Sequence, residues 1–362
     1  MPRKSTRREF LKGRAAADAV YDFTSGVASV PAPASALPER GEATLLQIGR
    51  EAMACEFEVV LRGDAHASTE TALAALDVVD ELEDQLTVYR PHSEVVRLNQ
   101  AAAIREVLVE RGLFQLLQLA NEIHAATGGA FDATAGPLAK TWGFFRRQGR
   151  MPGDEEIAEA LARVGSEDLV LDAERQTVRF GRMGMEINLG GIGKGYALDR
   201  AAALLEERGV KDFLFHGGQS SLLARGARSK AEGSAGWTIG LGHPLRPGTR
   251  LAEIDLVNRA CGTSGGGAQF FYHEGRKYSH ILDPRSGRPA EGVYSATVVA
   301  PTAAEADAWA TAAFVLGPQE AVPLLEARPG FALLLIAPGK HSGRFEVHQT
   351  GFAEGECRIL SE

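Results

Sequence analysis

Apolar residues recur at helical spacing in the first half of the chain. Steps of three and four residues separate Leu73, Leu76, Val79, Leu82 and Leu86. This spacing places the side chains on one face of an α-helix, so a helix with a solvated acidic face is predicted there. A second helix is predicted over residues 113–123 and should end at the glycine pair 128–129, because glycine readily adopts the left-handed conformation that closes helices. A third is predicted over residues 154–164.

Short apolar runs elsewhere predict strands. They occupy residues 45–62, 178–180, 185–189, 213–215 and 270–272. A helix over residues 194–208, closed by a glycine, falls among them. Strands and helices mix without a regular alternation, and the sequence has no repeat of fixed period. The pattern therefore predicts an α+β fold with two lobes.

A further helix is predicted to begin after Thr302. Thr302 and Glu305 fit the S/T-x-x-E capping box, which marks a helix start. Asp307 and Thr311 are then one turn apart and project oxygen atoms from the same helix face. Carboxylate and hydroxyl oxygens suit Mg²⁺ better than zinc, so this pair is a candidate magnesium site.

Composition narrows the class of protein. The chain has 362 residues, 44% hydrophobic and 24% charged, which is enough for a sizeable core. A net charge of −8, without any aromatic-rich basic run, argues against nucleic-acid binding. The widely spaced Cys55, Cys261 and Cys357 indicate neither a disulfide framework nor a zinc site, and are predicted to be ordinary buried thiols. No stretch approaches the ~20 apolar residues of a membrane span.

Residues 1–44 are predicted to be a leader and linker, and residues 45–360 the folded domain. Residues 5–12, STRREFLK, match a twin-arginine export signal. Three charged residues interrupt the apolar stretch that such a signal needs, although residues 34–36 offer an A-x-A cleavage site. Two interpretations stay open: export to the periplasm, or a basic leader with a Pro/Ala/Ser linker on a cytoplasmic protein.

A glycine-rich turn precedes the helix predicted at residue 194. Residues 190–195 read GGIGKG, and a glycine turn before a helix directs backbone N–H groups and the helix dipole at an anion. Lys194 adds a point charge for a phosphate oxygen. The turn is not a Walker P-loop, because Asn188 stands where the first glycine is required and Gly195 replaces the Ser/Thr. A phosphate site and a purely structural turn both fit the pattern.

Two further segments carry candidate catalytic groups. Residues 262–266, GTSGG, match the G-x-S-x-G elbow of serine hydrolases. An elbow requires a helix after Ser264, whereas the following residues predict a strand, so the hydrolase is the weaker interpretation. His280 lies between Ser279 and an Asp-Pro turn, where an imidazole at the edge of a cleft can act as a general base near neutral pH. A hydrogen-bonded histidine in a turn is the alternative.

Several of these segments together resemble the ApbE family of FAD:protein FMN transferases, bacterial enzymes that attach FMN covalently to a threonine or serine of a target protein. The resemblance covers residues 45–360. The matching segments are YRPHSE (89–94) with LN (98–99), AFDATAGPL (130–138) with WG (142–143), NLGGIGKGY (188–196), GG (217–218), TSG (263–265) and SHILDP (279–284), together with Asp307 and Thr311. Six segments in the family's order are hard to obtain by chance.

The resemblance implies a two-lobed fold related to the T-fold, with FAD in the cleft between the lobes. The positions at which the family contacts FAD are occupied here by Met53, Tyr89, Ala130, Phe131, Asp132, Asn188, Lys194 and Ile281. By the same resemblance, the Gly191 carbonyl, Asp307 and Thr311 would hold Mg²⁺. His280 matches the histidine proposed to act on the acceptor hydroxyl. FAD would be the substrate, and a flavoprotein with a Thr/Ser acceptor the partner.

The chain departs from the family at three places. Asn188 stands where the family usually has Asp, Gln219 where an acidic residue or Asn is usual, and Met53-Ala54-Cys55 where it has Met-Gly-Thr. Losing a carboxylate at position 188 would weaken flavin or metal binding without abolishing either. Two alternatives therefore stay open beside FMN transfer: a protein that binds FAD and transfers little, and a Mg²⁺-dependent pyrophosphatase that hydrolyses FAD to FMN and AMP.

Overall fold

The computed structural model describes residues 45–62, 66–146, 148–228, 236–246, 248–267, 269–341 and 343–360. The expected leader and linker, residues 1–44, lies outside the described residues, so its export role stays a prediction. No helix in these ranges is long and apolar enough to cross a bilayer.

The described chain contains seven α-helices and eighteen strands. The helices are α1 (His66–Leu86), α2 (Glu94–Ala101), α3 (Arg111–Ala126), α4 (Gly136–Thr141), α5 (Asp154–Leu161), α6 (Gly193–Glu207) and α7 (Ala303–Glu326). The strands are β1 (Leu45–Ala52), β2 (Cys55–Arg62), β3 (Val107–Leu108), β4 (Leu169–Asp172), β5 (Thr177–Phe180), β6 (Phe213–Gly217), β7 (Ser221–Arg225), β8 (Trp237–Gly242), β9 (Arg250–Leu256), β10 (Ala260–Gly265), β11 (Phe270–His273), β12 (Arg276–Ser279), β13 (Leu282–Asp283), β14 (Arg288–Pro289), β15 (Ser295–Ala300), β16 (Ala332–Pro338), β17 (Phe345–Thr350) and β18 (Cys357–Ile359).

An eight-stranded antiparallel sheet lies at the centre, in the order β1-β2-β6-β7-β10-β15-β16-β17. All five residues of β6 are buried, because both faces of the sheet are covered. Phe213 and Phe215 point into the core that α1, α6 and α7 share, whereas Leu214 points to the opposite face. There it packs with residues such as Ile239 and Ile254 of the three-stranded sheet β18-β9-β8.

Smaller apolar clusters form the second part of the molecule. One joins Leu138 of α4 to Ala160 of α5, and another surrounds Trp142 and receives Phe271 and Tyr278 from the β11–β12 hairpin. The Trp142 indole Nε1–H donates to the carbonyl of residue 287 over 2.8 Å. The expected α+β architecture is thus confirmed, with α1, α6 and α7 packed on one face of the main sheet.

Three local predictions need correction. Residues 185–189 form no named strand: Glu186 makes a single parallel bridge to Ala135, and Asn99 holds Ile187 by accepting its N–H (2.7 Å) and donating to its carbonyl (3.0 Å). Hydrogen bonds from the Asn99 side chain therefore take the place of strand pairing at Ile187. Leu73, expected on the packed face of α1, is 42% exposed. The third predicted helix ends at residue 161, three residues early.

Candidate active site

Side-chain and backbone hydrogen bonds hold the glycine-rich turn, and α6 follows directly after it. The Asn188 Oδ1 atom accepts the N–H of Gly190 over 3.0 Å, and the Leu189 carbonyl accepts the N–H of Gly193 over 2.7 Å. Helix α6 then begins at Gly193 without a side-chain cap, and Lys194 occupies its first turn. The turn therefore places the start of a helix beside an ammonium group.

Helix α7 starts directly beside α6. The predicted helix start is confirmed, with Thr302 as its N-cap: the Thr302 Oγ1 atom accepts the N–H of Glu305 over 3.3 Å and donates to the Glu305 carboxylate over 2.8 Å. A side chain at Gly195 would collide with the carbonyl of Ala303, so glycine is required where the two helices meet. The N–H of Gly195 donates to the Asp307 Oδ2 atom over 2.8 Å, which ties α6 to α7.

The three predicted metal ligands lie together at this junction. Asp307 is only 7% exposed, and Thr311, one turn further along α7, donates its hydroxyl to the Asp307 carbonyl over 3.1 Å. A Cβ atom at Gly191 would lie 3.3 Å from the Thr311 Oγ1 atom, which places the glycine turn against this face of α7. A buried carboxylate, a hydroxyl and a nearby backbone carbonyl form an all-oxygen donor set, which fits Mg²⁺.

The half-buried ammonium group of Lys194 lies near this donor set. Burial raises the pKa of Asp307, while the positive charge of Lys194 and the Gly195 N–H act in the opposite direction. Among the described residues, Lys194 forms no ion pair with any carboxylate. Its ammonium group is therefore available to a phosphate oxygen.

His280 follows β12 and is anchored through the backbone of Gln269. That carbonyl accepts both the His280 N–H (3.1 Å) and the ring Nδ1–H (3.0 Å). Because a carbonyl can only accept, the neutral imidazole carries its proton on Nδ1 and its lone pair on Nε2. Burial lowers the pKa of His280 from 6.5; the Gln269 bond opposes this, and the charge of Lys194 adds to it. The ring is therefore neutral at pH 7 and can act as a base.

Four further residues were predicted to contact the flavin: Tyr89, Ala130, Phe131 and Ile281. Phe131 lies beside the glycine turn, because a Cβ atom at Gly191 would come within 3.2 Å of its ring, and Ala130 before it is buried. Tyr89 is 62% exposed, with its ring 4.8 Å from that of Phe145. Ile281 is buried directly after His280, and its N–H donates to the Ser279 hydroxyl.

Asp132 has a structural role that the sequence did not indicate. Its carboxylate accepts the N–H and hydroxyl of Thr134 (2.7 and 2.6 Å), the N–H and hydroxyl of Ser166 (3.1 and 2.7 Å), and pairs with His124 at 3.1 Å. Burial raises the pKa of Asp132, but these donors, His124 foremost, outweigh it and hold the pKa below its ordinary value. A flavin contact at this position would therefore involve the backbone, since the side-chain oxygens are already engaged.

The β1–β2 turn carries Met53, the last residue predicted to contact the flavin. Met53 and Ala54 both have positive φ, 50° and 62°, an unfavourable conformation that glycine at position 54 would adopt more easily. A Cβ atom at Gly218 would lie 3.0 Å from the Cys55 sulfur. Burial raises the pKa of the Cys55 thiol to about 11, although Lys194 acts against it. Cys55 and Cys357 are half-buried, so only Cys261 is the fully buried thiol that was expected.

The serine hydrolase interpretation is wrong. Ser264 lies within β10, paired with Ala296 of β15, and a turn rather than a helix follows it. Its hydroxyl lies 3.1 Å from that of Thr311, so it supports the candidate metal site instead of a nucleophile elbow.

Asp199 of α6 was not identified from the sequence. Its only sequence signal is a carboxylate among the apolar residues of a predicted helix.

Comparisons with known proteins agree with this arrangement. Residues 53–335 match the ApbE family. The FAD:protein FMN transferase of Escherichia coli (strain K12) is 30% identical over 279 residues, which cover 75% of this chain and 78% of that protein. The FAD:protein FMN transferase of Treponema pallidum (strain Nichols) is 33% identical over 290 residues, 76% of this chain and 79% of that protein.

Solved structures are also similar to this chain. The ApbE protein of Thermotoga maritima superposes with a TM-score of 0.76 at 29% identity, covering 84% of this chain and 97% of that one. The apo form of the flavinyl transferase ApbE from Pseudomonas stutzeri gives a TM-score of 0.75 at 28% identity, covering 86% and 96%. With the family match spanning most of the chain and the fold and site in agreement, this protein belongs to the ApbE family.

Proposed function

We propose that the protein transfers FMN from FAD to a threonine or serine hydroxyl of a target protein, with Mg²⁺ as cofactor and AMP as the second product. The observation that carries the proposal is the arrangement at the start of α6. The Gly195 N–H donates to the buried Asp307 carboxylate next to Lys194, and the positive charge of Lys194 acts on both Asp307 and His280. Similar proteins are named FAD:protein FMN transferase, which supports the same reaction.

The transfer exchanges the phosphoanhydride bond of FAD for a phosphoester bond to the acceptor hydroxyl. The acceptor oxygen forms a bond to the FMN phosphorus, the pyrophosphate P–O bond breaks, and AMP leaves with that bond's electron pair. The Nε2 atom of His280 takes the proton of the hydroxyl. The hydrogen bond from Nδ1–H to the Gln269 carbonyl leaves the lone pair on Nε2 for this step. Lys194 compensates the charge on the pyrophosphate oxygens while the bond breaks.

Gly191, Asp307 and Thr311 would hold Mg²⁺ through oxygen atoms. The ion, when bound, supplies additional positive charge to the pyrophosphate. Asp307 also orients the start of α6 through the N–H of Gly195, so its carboxylate has a role in both metal binding and helix position. The low exposure of Asp307 favours ion binding, because a buried carboxylate is stabilised by a cation at short range.

FAD contacts are proposed at the residues around this cluster. The proposed set is Met53, Tyr89, Ala130, Phe131, Asp132, Asn188, Lys194 and Ile281. Asn188 supports the set despite departing from the family, because its Oδ1 atom accepts the Gly190 N–H as an aspartate oxygen would. The turn is therefore preserved, and the substitution changes only the local charge.

One assay tests the function. The protein is incubated with FAD, Mg²⁺ and an acceptor peptide that carries a threonine among small residues, and the products are analysed by mass spectrometry. Peptide carrying FMN, formed together with AMP, is the expected result. FMN and AMP without the peptide adduct would identify a pyrophosphatase, and bound, unchanged FAD would identify a binding protein.

A further inference from the structure

Asp199 joins the two helices that carry the candidate active site. It lies in α6, five residues after Lys194, and is partly buried. Its Oδ1 atom accepts the N–H of Ala303 over 2.8 Å and its Oδ2 atom accepts the N–H of Ala304 over 2.9 Å. Both N–H groups belong to the first turn of α7, where a helix has donors without intrahelical partners. One carboxylate of α6 thus caps the other helix.

This contact lies one turn from a second one. At Gly195 the backbone of α6 approaches the Ala303 carbonyl, and the Gly195 N–H reaches Asp307. The helices are therefore pinned at two levels, at Gly195 and at Asp199, on the same side as the candidate metal ligands. With two points fixed, α7 can neither rotate about its axis nor slide along α6 without breaking a hydrogen bond to a charged group.

We infer that Asp199 is a positioning residue for the Mg²⁺ site, which fixes the first turn of α7 so that Asp307 and Thr311 face Gly191. The inference rests on the proposed function. Mg²⁺ demands near-ideal octahedral geometry and tolerates little displacement of its ligands. A small shift of α7 against the glycine turn would therefore weaken Mg²⁺ binding without unfolding the protein.

Two observations separate this role from simple helix capping. Helix α7 already has a local cap in Thr302, so its start does not depend on Asp199 alone. The burial of Asp199 is also costly: it raises the pKa of that carboxyl to about 6, although the Ala303 and Ala304 N–H groups lower it. Thr302 already caps α7, so capping alone does not explain a buried carboxylate at position 199. Its role is better explained by the position in which it holds α7 against α6.

A cavity beside Asp199 makes the inference testable without unfolding. The cavity has a volume of about 360 Å³, and Gln115, Tyr196, Asp199, Arg225 and Thr302 form its polar lining. Water in this space can hydrate the first N–H groups of α7 when Asp199 no longer accepts them. A variant at this position should therefore fold, with α7 less firmly held.

The test compares Asp199→Asn with Thr302→Ala. An asparagine of the same size offers one acceptor instead of two, so at least one N–H of α7 loses its bond to α6. Thr302→Ala removes a cap from the same helix without touching α6, and is the matched control. Mg²⁺ affinity of the FAD-loaded protein is measured by calorimetry, and transfer is measured against Mg²⁺ and FAD concentration.

Asp199→Asn should weaken Mg²⁺ binding about tenfold, the lower end of the range for groups that orient metal ligands, while the KM for FAD stays unchanged. Thr302→Ala should keep wild-type Mg²⁺ affinity. Unchanged Mg²⁺ affinity in Asp199→Asn, or an equal loss in both variants, overturns the inference. If the wild type itself binds no Mg²⁺, the proposed function loses its metal and the inference falls with it.

A second variant covers a failure of Asp199→Asn to fold. Ala303→Pro removes one donor from the α7 side, at the first helical position, where proline is tolerated and the preceding Thr302 is extended. The negative charge of Asp199 is retained. Weaker Mg²⁺ binding in folded Ala303→Pro supports the inference, and wild-type affinity overturns it.

Discussion

Lys194 connects the chemical groups of the site at the scale of single residues. Its charge acts on the carboxyl of Asp307, the imidazole of His280 and the thiol of Cys55. The first two effects have opposite consequences: the ammonium favours the ionised form of the carboxylate and disfavours the imidazolium. Both effects suit metal-assisted transfer to a hydroxyl, which needs an ionised metal ligand and a neutral base.

Asp307→Asn should abolish the Mg²⁺ dependence of FAD affinity and lower transfer strongly, because the only charged metal ligand is lost. Asparagine keeps an oxygen for the Gly195 N–H, so the helix junction should survive. Calorimetry with and without Mg²⁺ measures the effect, and Glu305→Gln on the same helix is the control. Wild-type turnover of Asp307→Asn at limiting Mg²⁺ would remove Asp307 from the metal site.

The transfer rate at saturating FAD and Mg²⁺ should fall on the acid side of neutrality. His280 has a pKa below its ordinary 6.5, because burial and Lys194 disfavour the charged ring. The active, neutral form is therefore present at pH 7 and is lost as the pH falls through the lowered pKa. Folding stability changes in the same direction, since the unfolded chain binds a proton at this histidine more readily. A rate that stays constant as the pH is lowered from 7 to the point at which the protein unfolds would contradict the role of the base.

Helices and strands differ in how far the sequence predicted them. The T-x-x-E motif predicted the first residue of α7 correctly, because Thr302 and Glu305 are close in the chain and interact with each other. Residues 185–189 were wrongly expected to form a strand, because Asn99, which holds Ile187, lies 88 residues away in the chain. The donors that saturate Asp132 are also partly remote, with Ser166 34 residues away. Interactions between residues close in the chain could be predicted from the sequence, whereas contacts between residues far apart in the chain could not.

The junction of α6 and α7 gives an element-scale prediction. Gly195→Ala should lower the free energy of unfolding by about 1–3 kcal/mol, because the new methyl group collides with the Ala303 carbonyl and forces the helices apart. Gly193→Ala is the matched control, since its methyl group would meet only the Leu189 Cβ atom at 3.7 Å. Denaturant unfolding compares the two. Equal stability of both variants would show that the junction is looser than described.

The whole molecule divides its tasks between the sheet core and the cluster around the site. The eight-stranded sheet is covered on both faces and supports the helices from which Lys194 and Asp307 project. His280 comes from the β11–β12 hairpin, whose Phe271 packs with Trp142 in a separate apolar cluster. The proposed base therefore adjoins the Trp142 cluster through this hairpin and, through Ile281, the core in which α7 packs.

Residues 1–36 should contribute nothing to transfer, because their composition does not support a packed core and their recognisable pattern is an export address. A chain that begins at Leu37 should keep the wild-type transfer rate and melting temperature. Cell fractionation of the full-length protein tests the export part separately. A lower melting temperature after deletion would show that the leader packs on the domain, and purely cytoplasmic location would exclude export.

The most direct test of the account is single-turnover FMN transfer by His280→Ala, with FAD and Mg²⁺ affinities measured on the same preparation. The imidazole is assigned to the acceptor hydroxyl and not to the flavin, so both affinities should match the wild type. Transfer should fall by about 10²–10⁴-fold, the range for loss of a general base. Near wild-type transfer, or loss of FAD binding, would contradict the assignment of His280 as the base.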